Sequence, residues 1–418
     1  VNSSHPLARR LNTELSVWLV WIVAHVVSLA IIQRQIMPEG DVEYYYRSLV
    51  GVVPGGLQEY PAVGVWPLTF LQDFIGRGED EFIVWFQVLC MIVDAVFLAV
   101  LLRSRSPHRI TAGYFWAVFC LLALHVQFLR LDIFTGVLVG VAGLFFFRNP
   151  TVSAHLLGWA TAMKLWPGVL AVTIVQRRLR PVWMFVGTLA ALCAVVVLRS
   201  DVHRLFSPLT YQGDRGLQIE SIAATPFMVR ELVQPGTYSV SYAASKSFEI
   251  SGPGVDAAAT ACSWALVAAV LLCALWGVVG LVRKAWSPRT ALLSAIVIVM
   301  LMLDTNKVFS PQYIMWLAPL VAVSLAYLAD SRLIQLIGAL VVVMAVLGSQ
   351  LFPYHYDQIW NTPFSGSTGV ILLAVRNVLV LVITIVVIVA FMRSVREDAT
   401  ENTANSANSG DSESALRA

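Results

Sequence analysis

Asp41 is the side chain whose type and position best suit proton-transfer chemistry. It follows an apolar run near 15–36, so its carboxylate is expected at a membrane surface, ionised at neutral pH and able to take a proton from an attacking hydroxyl. An aspartate after Gly40 also suits a helix cap, and type and position alone do not separate the two roles. Tyr44, Tyr45 and Tyr46 follow at once, and the same loop closes with Glu59, Tyr60, Pro61 and Trp66. Aromatic faces bind sugars, but tyrosine also collects at bilayer interfaces for physical reasons alone. A second cluster, Arg215, Gln218, Glu220 and Ser221, offers donors and acceptors within seven residues, suited to hydroxyls or phosphate, or simply to water. In a third, Lys307 precedes a helix start at Pro311, with Gln312 and Tyr313 next; a cation at a helix amino terminus favours a phosphate contact, or snorkels to the interface. Lys164 lies in an otherwise apolar stretch, where a charge needs a cavity or a partner. His355 could exchange protons or only hydrogen-bond. Asp94 and Arg376 fall inside apolar runs and are expected to neutralise one another as scaffold.

The elements that must position these groups are membrane helices. Of 418 residues 58% are hydrophobic and 13% charged, and the mean hydropathy is +0.74, which leaves too little polar material to cover a soluble globule. Apolar runs near 15–36, 81–102, 109–128, 131–147, 182–199, 258–282, 290–303, 311–329, 332–350 and 368–392 predict ten crossings, each needing about 20 helical residues. The first is read as a retained helix, because Gln33, Arg34 and Gln35 follow it and not a small-residue cleavage site. The segment 151–176 has Arg148 before it and Arg177, Arg178 and Arg180 after it, so both ends belong on one side. Two arms of that length predict a re-entrant hairpin with Lys164, Leu165, Trp166 and Pro167 at its tip.

An inside amino terminus places Arg9 and Arg10, Arg103 with Arg105 and Arg109, Arg177 to Arg180, Arg283 with Lys284 and Arg289, and Arg393 with Arg396 in the cytoplasm. The polar loops near 37–80, 200–257, 304–310 and 351–367 then face outward, so the chain is expected in the plasma membrane with its chemistry on the extracytoplasmic side. Residues 1–393 form one transmembrane domain, and 394–418, polar and poor in large apolar side chains, read as a disordered cytoplasmic tail. The net charge of +3 carries no basic stripe, so no nucleic-acid partner is expected. The five cysteines lie within apolar runs as packing residues. The sequence contains no glycine-rich phosphate loop, metal-ligand spacing or nucleotide fingerprint, which points to no cofactor and no metal.

Asp41 followed by tyrosines, Glu59-Tyr60-Pro61, Lys164-Leu165-Trp166-Pro167, RGLQIES at 215–221 and NKVFSPQY at 306–313 occur in the order found in glycosyltransferase family 87, which the chain resembles over roughly 15–392. Members often carry a second proline where this chain has Ala62. The resemblance implies the all-α C-type membrane glycosyltransferase superfold of largely actinobacterial, polyprenyl-phosphate-mannose-dependent α-mannosyltransferases, α-1,2 in linkage. It further implies an inverting transfer of mannose from polyprenyl-phosphate-mannose to a glycolipid or lipoglycan acceptor in cell-envelope synthesis. Asp41 would then be the general base. Lys307, Arg215 and Lys164 would bind the donor phosphate, and Glu59, Tyr60, Tyr44, Gln218, Glu220, Gln312, Tyr313 and His355 would bind sugar or acceptor. Another polyprenyl-phosphate sugar, such as arabinofuranose, fits the same scaffold. A lipid or sugar transporter or flippase is the reading from a different class, which the hairpin favours and the absence of a repeat disfavours.

Overall fold

The computed structural model describes residues 13–35, 40–76, 78–174, 179–213, 215–283 and 287–415. Arg9, Arg10, Arg177, Arg178 and Lys284 of the basic clusters lie outside the described residues. In chain order the helices are α1 (Glu14–Ile32), α2 (Gly40–Leu49), α3 (Ala62–Phe74), α4 (Glu79–Leu102), α5 (Arg109–Ala123), the single turn α6 (His125–Phe128), α7 (Asp132–Phe146), α8 (Pro150–Met163) and a 3-10 helix over Trp166–Ile174. They continue with α9 (Arg180–Arg199), α10 (His203–Gly213), α11 (Thr225–Val233), α12 (Val255–Arg283), α13 (Pro288–Thr305), a 3-10 turn Pro311–Tyr313, α14 (Ile314–Leu328), α15 (Arg332–Ser349) and α16 (Thr368–Ala415).

Helices dominate because hydrocarbon offers the backbone no hydrogen-bonding partner. Among the described residues eight helices are long and apolar enough to cross a membrane, namely α1, α4, α9, α12, α13, α14 with its 3-10 lead-in, α15 and α16; α5 and α7 are shorter apolar helices. The chain is therefore a multi-pass α-helical membrane protein. Each of the ten expected runs corresponds to one of these ten helices. Burial ranks them: 78% of the α14 window lies inside the protein against 22% of that of α12, so α14 is the central post and α12 a peripheral one.

The close crossing of α7 and α14 sets the site's geometry. Gly136 lies so near the Met315 carbonyl that a Cβ there would collide with it, and a Cβ on Gly140 would sit 2.6 Å from Pro319 Cβ. Small residues at this spacing let two membrane helices approach, which brings Asp132, at the start of α7, beside Trp316 of α14.

Three expectations need correction. Asp94 does not pair with Arg376. Its carboxylate meets His25 Nε2 at 2.6 Å and accepts from Trp21 Nε1 at 2.8 Å and from Trp116 Nε1, while Arg376 pairs with Glu220. Each charge does find partners, Asp94 on α1 and α5 and Arg376 in the turn after Gln218, far from it in the chain. The segment 200–257 is not wholly loop and helix: β1 (Leu217–Gln218), β2 (Ser239–Tyr242) and β3 (Phe248–Ser251) form an antiparallel sheet in the order β1-β3-β2, with Ile250 opposite both Leu217 and Val240. Their buried positions cover a small second core with Met228, Tyr238 and Leu351. Nor does order end at residue 393. Helix α16 runs on to Ala415, and its next turn docks on the start of α13: Thr290 Oγ1 shares a hydrogen with Ser394 Oγ at 2.7 Å and donates to Asp398 at 2.6 Å, and Arg289 reaches Glu397 at 2.5 Å. Polar composition marks solvation, but an established helix propagates cheaply and here finds partners.

Chain tracing gives the bundle two unlike ends. Glu14 with Arg109, His108 with Asp330 and Arg289 with Glu397 pair at one end, alongside Arg103, Arg105, Arg393 and Arg396. The polar loops and the small sheet gather at the other.

Candidate functional site

At that second end the predicted base meets a residue the sequence reading passed over. Asp41, in the first turn of α2, has Oδ2 3.0 Å from Arg130 Nε, and its side chain is 42% exposed whereas that of Arg130 is 7% exposed. The guanidinium is fixed from several sides: its Nε–H donates to Gln312 Oε1 at 3.0 Å, so the Asp41 contact is an ion pair, Nη1 donates to the Leu129 carbonyl at 2.9 Å, and the Phe352 ring lies 5.5 Å from Cζ. Asp41 Oδ1 takes no hydrogen bond among the described residues. Arg130 thus holds one carboxylate oxygen of a half-exposed side chain.

A second ion pair lies alongside. Lys164 caps α8 in extended conformation where the chain breaks before the 3-10 helix, so the expected hairpin tip is a real break between two arms. Its ammonium donates to Asp132 Oδ1 at 2.6 Å, and Trp316 Nε1 donates to the same oxygen at 2.6 Å. The ammonium also faces the Tyr313 and Trp316 rings at 5.1 and 5.3 Å. Trp166, Trp316 and Tyr313 form a continuous stack, with centroids 4.8 and 4.1 Å apart. Gln312 touches Arg130 and Tyr313 touches Lys164, so the 3-10 turn Pro311–Tyr313 joins the two cations.

Tyrosines wall the aspartate. The Tyr44 hydroxyl donates to Glu59 Oε1 at 2.8 Å and accepts from Leu57 N at 3.0 Å, and the Tyr45 and Tyr60 hydroxyls share a hydrogen at 3.3 Å. Burial first, and then the Asp41 charge, pushes Tyr45 and Tyr242 above the usual phenol value; burial does the same to Tyr60, followed by Tyr45, and to Tyr356, followed by Glu220. These hydroxyls stay protonated and can both give and accept hydrogen bonds.

The remaining sequence candidates are engaged in holding the loops. Lys307 Nζ donates to the Gly213 and Arg215 carbonyls at 3.1 and 2.6 Å. Arg215 donates from Nη2 to the Ser245 carbonyl at 2.9 Å and lies over the Tyr211 ring, while its Nε has no partner. Gln218 accepts from Phe309 N at 2.6 Å and donates to Ser310 Oγ at 3.0 Å, joining the RGLQIES and NKVFSPQY segments. Glu220 accepts from Arg376 Nη1 at 2.7 Å, both side chains being buried; burial pushes the Glu220 carboxyl up and Arg376 pulls it the other way. His355 Nδ1 lies 2.9 Å from the Gln350 carbonyl. Among the described residues no group of three His, Cys, Asp or Glu side chains could hold a metal ion.

The chain matches no protein-family model, no curated protein and no solved structure.

Arg130 and Asp132 carried a signal in the sequence. Arg130 lies in the two-residue gap between two apolar runs and Asp132 at the start of the second, opposite charges too costly to keep there without partners on neighbouring helices.

Proposed function

We propose that this protein transfers mannose from polyprenyl-phosphate-mannose to a hydroxyl of a glycolipid or lipoglycan acceptor, on the extracytoplasmic side of the plasma membrane, as an enzyme similar to those of glycosyltransferase family 87. The observation that carries the reading is Asp41, a half-exposed carboxylate steered through one oxygen by a buried arginine, with Lys164 in the adjoining ion pair. In the reaction Asp41 takes the proton of the acceptor hydroxyl as its oxygen forms the bond to the anomeric carbon. The bond from that carbon to the phosphate oxygen breaks with inversion, and its electron pair leaves on polyprenyl phosphate. Arg130 and Lys164 stand nearest this chemistry and would stabilise the charge growing on the departing phosphate. They rank ahead of Lys307 and Arg215, which donate to loop carbonyls. Gln312 and Tyr313 touch the two cations, and with Tyr44, Tyr60 and Glu59 of the loop that follows Asp41 they would orient hydroxyls.

In membranes supplied with labelled polyprenyl-phosphate-mannose and a lipid-linked mannoside, Asp41→Asn should abolish transfer and leave protein level and melting temperature intact. Full activity in that variant removes Asp41 as the base. Running the assay in parallel with polyprenyl-phosphate-arabinofuranose identifies the sugar. A transport reading is favoured by one observation, the His25–Asp94 pair inside α1 and α4, because coupling charges of transporters sit on membrane helices. Under that reading labelled lipid changes leaflet without any glycosidic bond forming, which the same assay separates.

A further inference from the structure

The turn just before Arg130 holds an imidazole that no group among the described residues satisfies. His125 is fully buried, and neither of its ring nitrogens has a hydrogen-bond partner. Its ring lies 4.9 Å from that of Phe352, the same ring that the Arg130 guanidinium approaches at 5.5 Å. His125 therefore sits one aromatic ring away from the group that holds Asp41. A neutral imidazole has one N–H donor and one lone-pair acceptor, and here both are buried and unmatched among the described residues.

That pair of open atoms selects its partner. A phosphate only accepts, so it would leave the acceptor nitrogen unmatched, whereas a sugar hydroxyl both gives and accepts. The Phe352 ring, which neighbours both the cation and the imidazole, offers an apolar face of the kind that packs on the C–H side of a pyranose. A buried polar group without a partner is costly to keep, and such groups concentrate where a ligand completes them.

We infer that His125 is a sugar-binding residue, which reads a pyranose hydroxyl beside the Asp41–Arg130 pair, with Phe352 under the ring. The inference rests on the proposed transfer reaction and adds to it the group that recognises the sugar. Donor and acceptor both carry such hydroxyls, and kinetics distinguish them.

The test measures KM for polyprenyl-phosphate-mannose and for a mannoside acceptor, kcat, and the melting temperature of the purified protein without substrate. The variants are His125→Phe, which keeps the ring's bulk and removes its polar atoms, and His125→Asn, which keeps one donor and one acceptor. Expected is a rise of tenfold or more in one KM for His125→Phe, a smaller rise for His125→Asn, and a melting temperature equal to or above that of the parent. The substrate whose KM moves is the one His125 reads. Unchanged KM values in both variants overturn the inference, as does a lower melting temperature with unchanged kinetics, which marks a water-filled structural position. If His125→Phe does not fold, parental KM values in His125→Asn together with parental kinetics in His125→Gln overturn it equally. No transfer by the parent protein refutes the reaction itself, and with it this role for His125.

Discussion

Glu220→Gln separates a sugar ligand from a strut. The carboxylate is buried with Arg376, and the guanidinium makes three further contacts: Nη2 donates to the Glu220 carbonyl at 2.8 Å, Nε donates to Asn377 Oδ1 at 3.1 Å, and the Phe309 ring lies 4.5 Å away. Glutamine keeps the shape and the backbone contact but leaves the cation without a counter-charge. Removing one partner of a buried ion pair costs about 3–5 kcal/mol, and the surviving contacts argue for the lower end, about 3 kcal/mol. Arg376→Met strands the carboxylate and should cost a similar amount. The double variant has no buried charge left at this position and should be no less stable than either single variant, a coupling of about 3 kcal/mol between the two sites. Thermal unfolding in detergent, followed by tryptophan fluorescence, gives the stabilities, and the transfer assay run below the melting point gives KM. A Glu220→Gln protein that melts with the parent but has a raised KM would refute the argument and return Glu220 to the sugar site.

Glu231 accepts from Gly236 N, Thr237 N and Tyr238 N at 2.7, 2.9 and 2.7 Å; burial works to raise its pKa, but the three donors together hold it below the usual 4.5. A carboxyl lowered on folding stabilises above its unfolded value and loses that contribution as pH falls through the folded value, so the stability gap to Glu231→Gln should be constant from pH 6 to 8 and close below about pH 4.5, read by urea unfolding at each pH. Gly136→Leu should force α7 from α14 and spread Asp132 from Trp316; we expect a loss of at least about 2 kcal/mol in stability together with loss of transfer, and a folded, active variant would show that the close crossing does not set the site.

Most of the fold was legible because a membrane imposes length and composition on each crossing. The expected run 81–102 corresponds to α4 over Glu79–Leu102, and 332–350 to α15 over Arg332–Ser349. The sheet was less visible. Its longer strands have only four residues each, too few for an alternating pattern such as Ser239-Val240-Ser241-Tyr242 to stand out inside a polar loop. The docked turn at Ser394–Asp398 was hidden for another reason: its order comes from Thr290 and Arg289, over a hundred positions away, and not from its own composition.

The site was legible in its charges but not in its pairings, and the pairings carry the chemistry. Asp41 and Lys164 were singled out as lone charges beside or within apolar runs, a rule that finds residues needing partners without saying which partners they find. Lys164 found Asp132 because α8 ends against the start of α7, and Asp41 found Arg130 because α6 turns the chain back toward α2 after Leu124, whose φ of 45° is a conformation few non-glycine residues adopt. That turn buries His125 and Gln127 with their side-chain nitrogens and oxygen unsatisfied and carries Arg130 to the aspartate. A segment needed only to connect two membrane helices would favour residues that fit the turn and leave nothing open. The combination of a costly backbone, open polar atoms and the arginine that fixes Asp41 fits a loop shaped by what it binds.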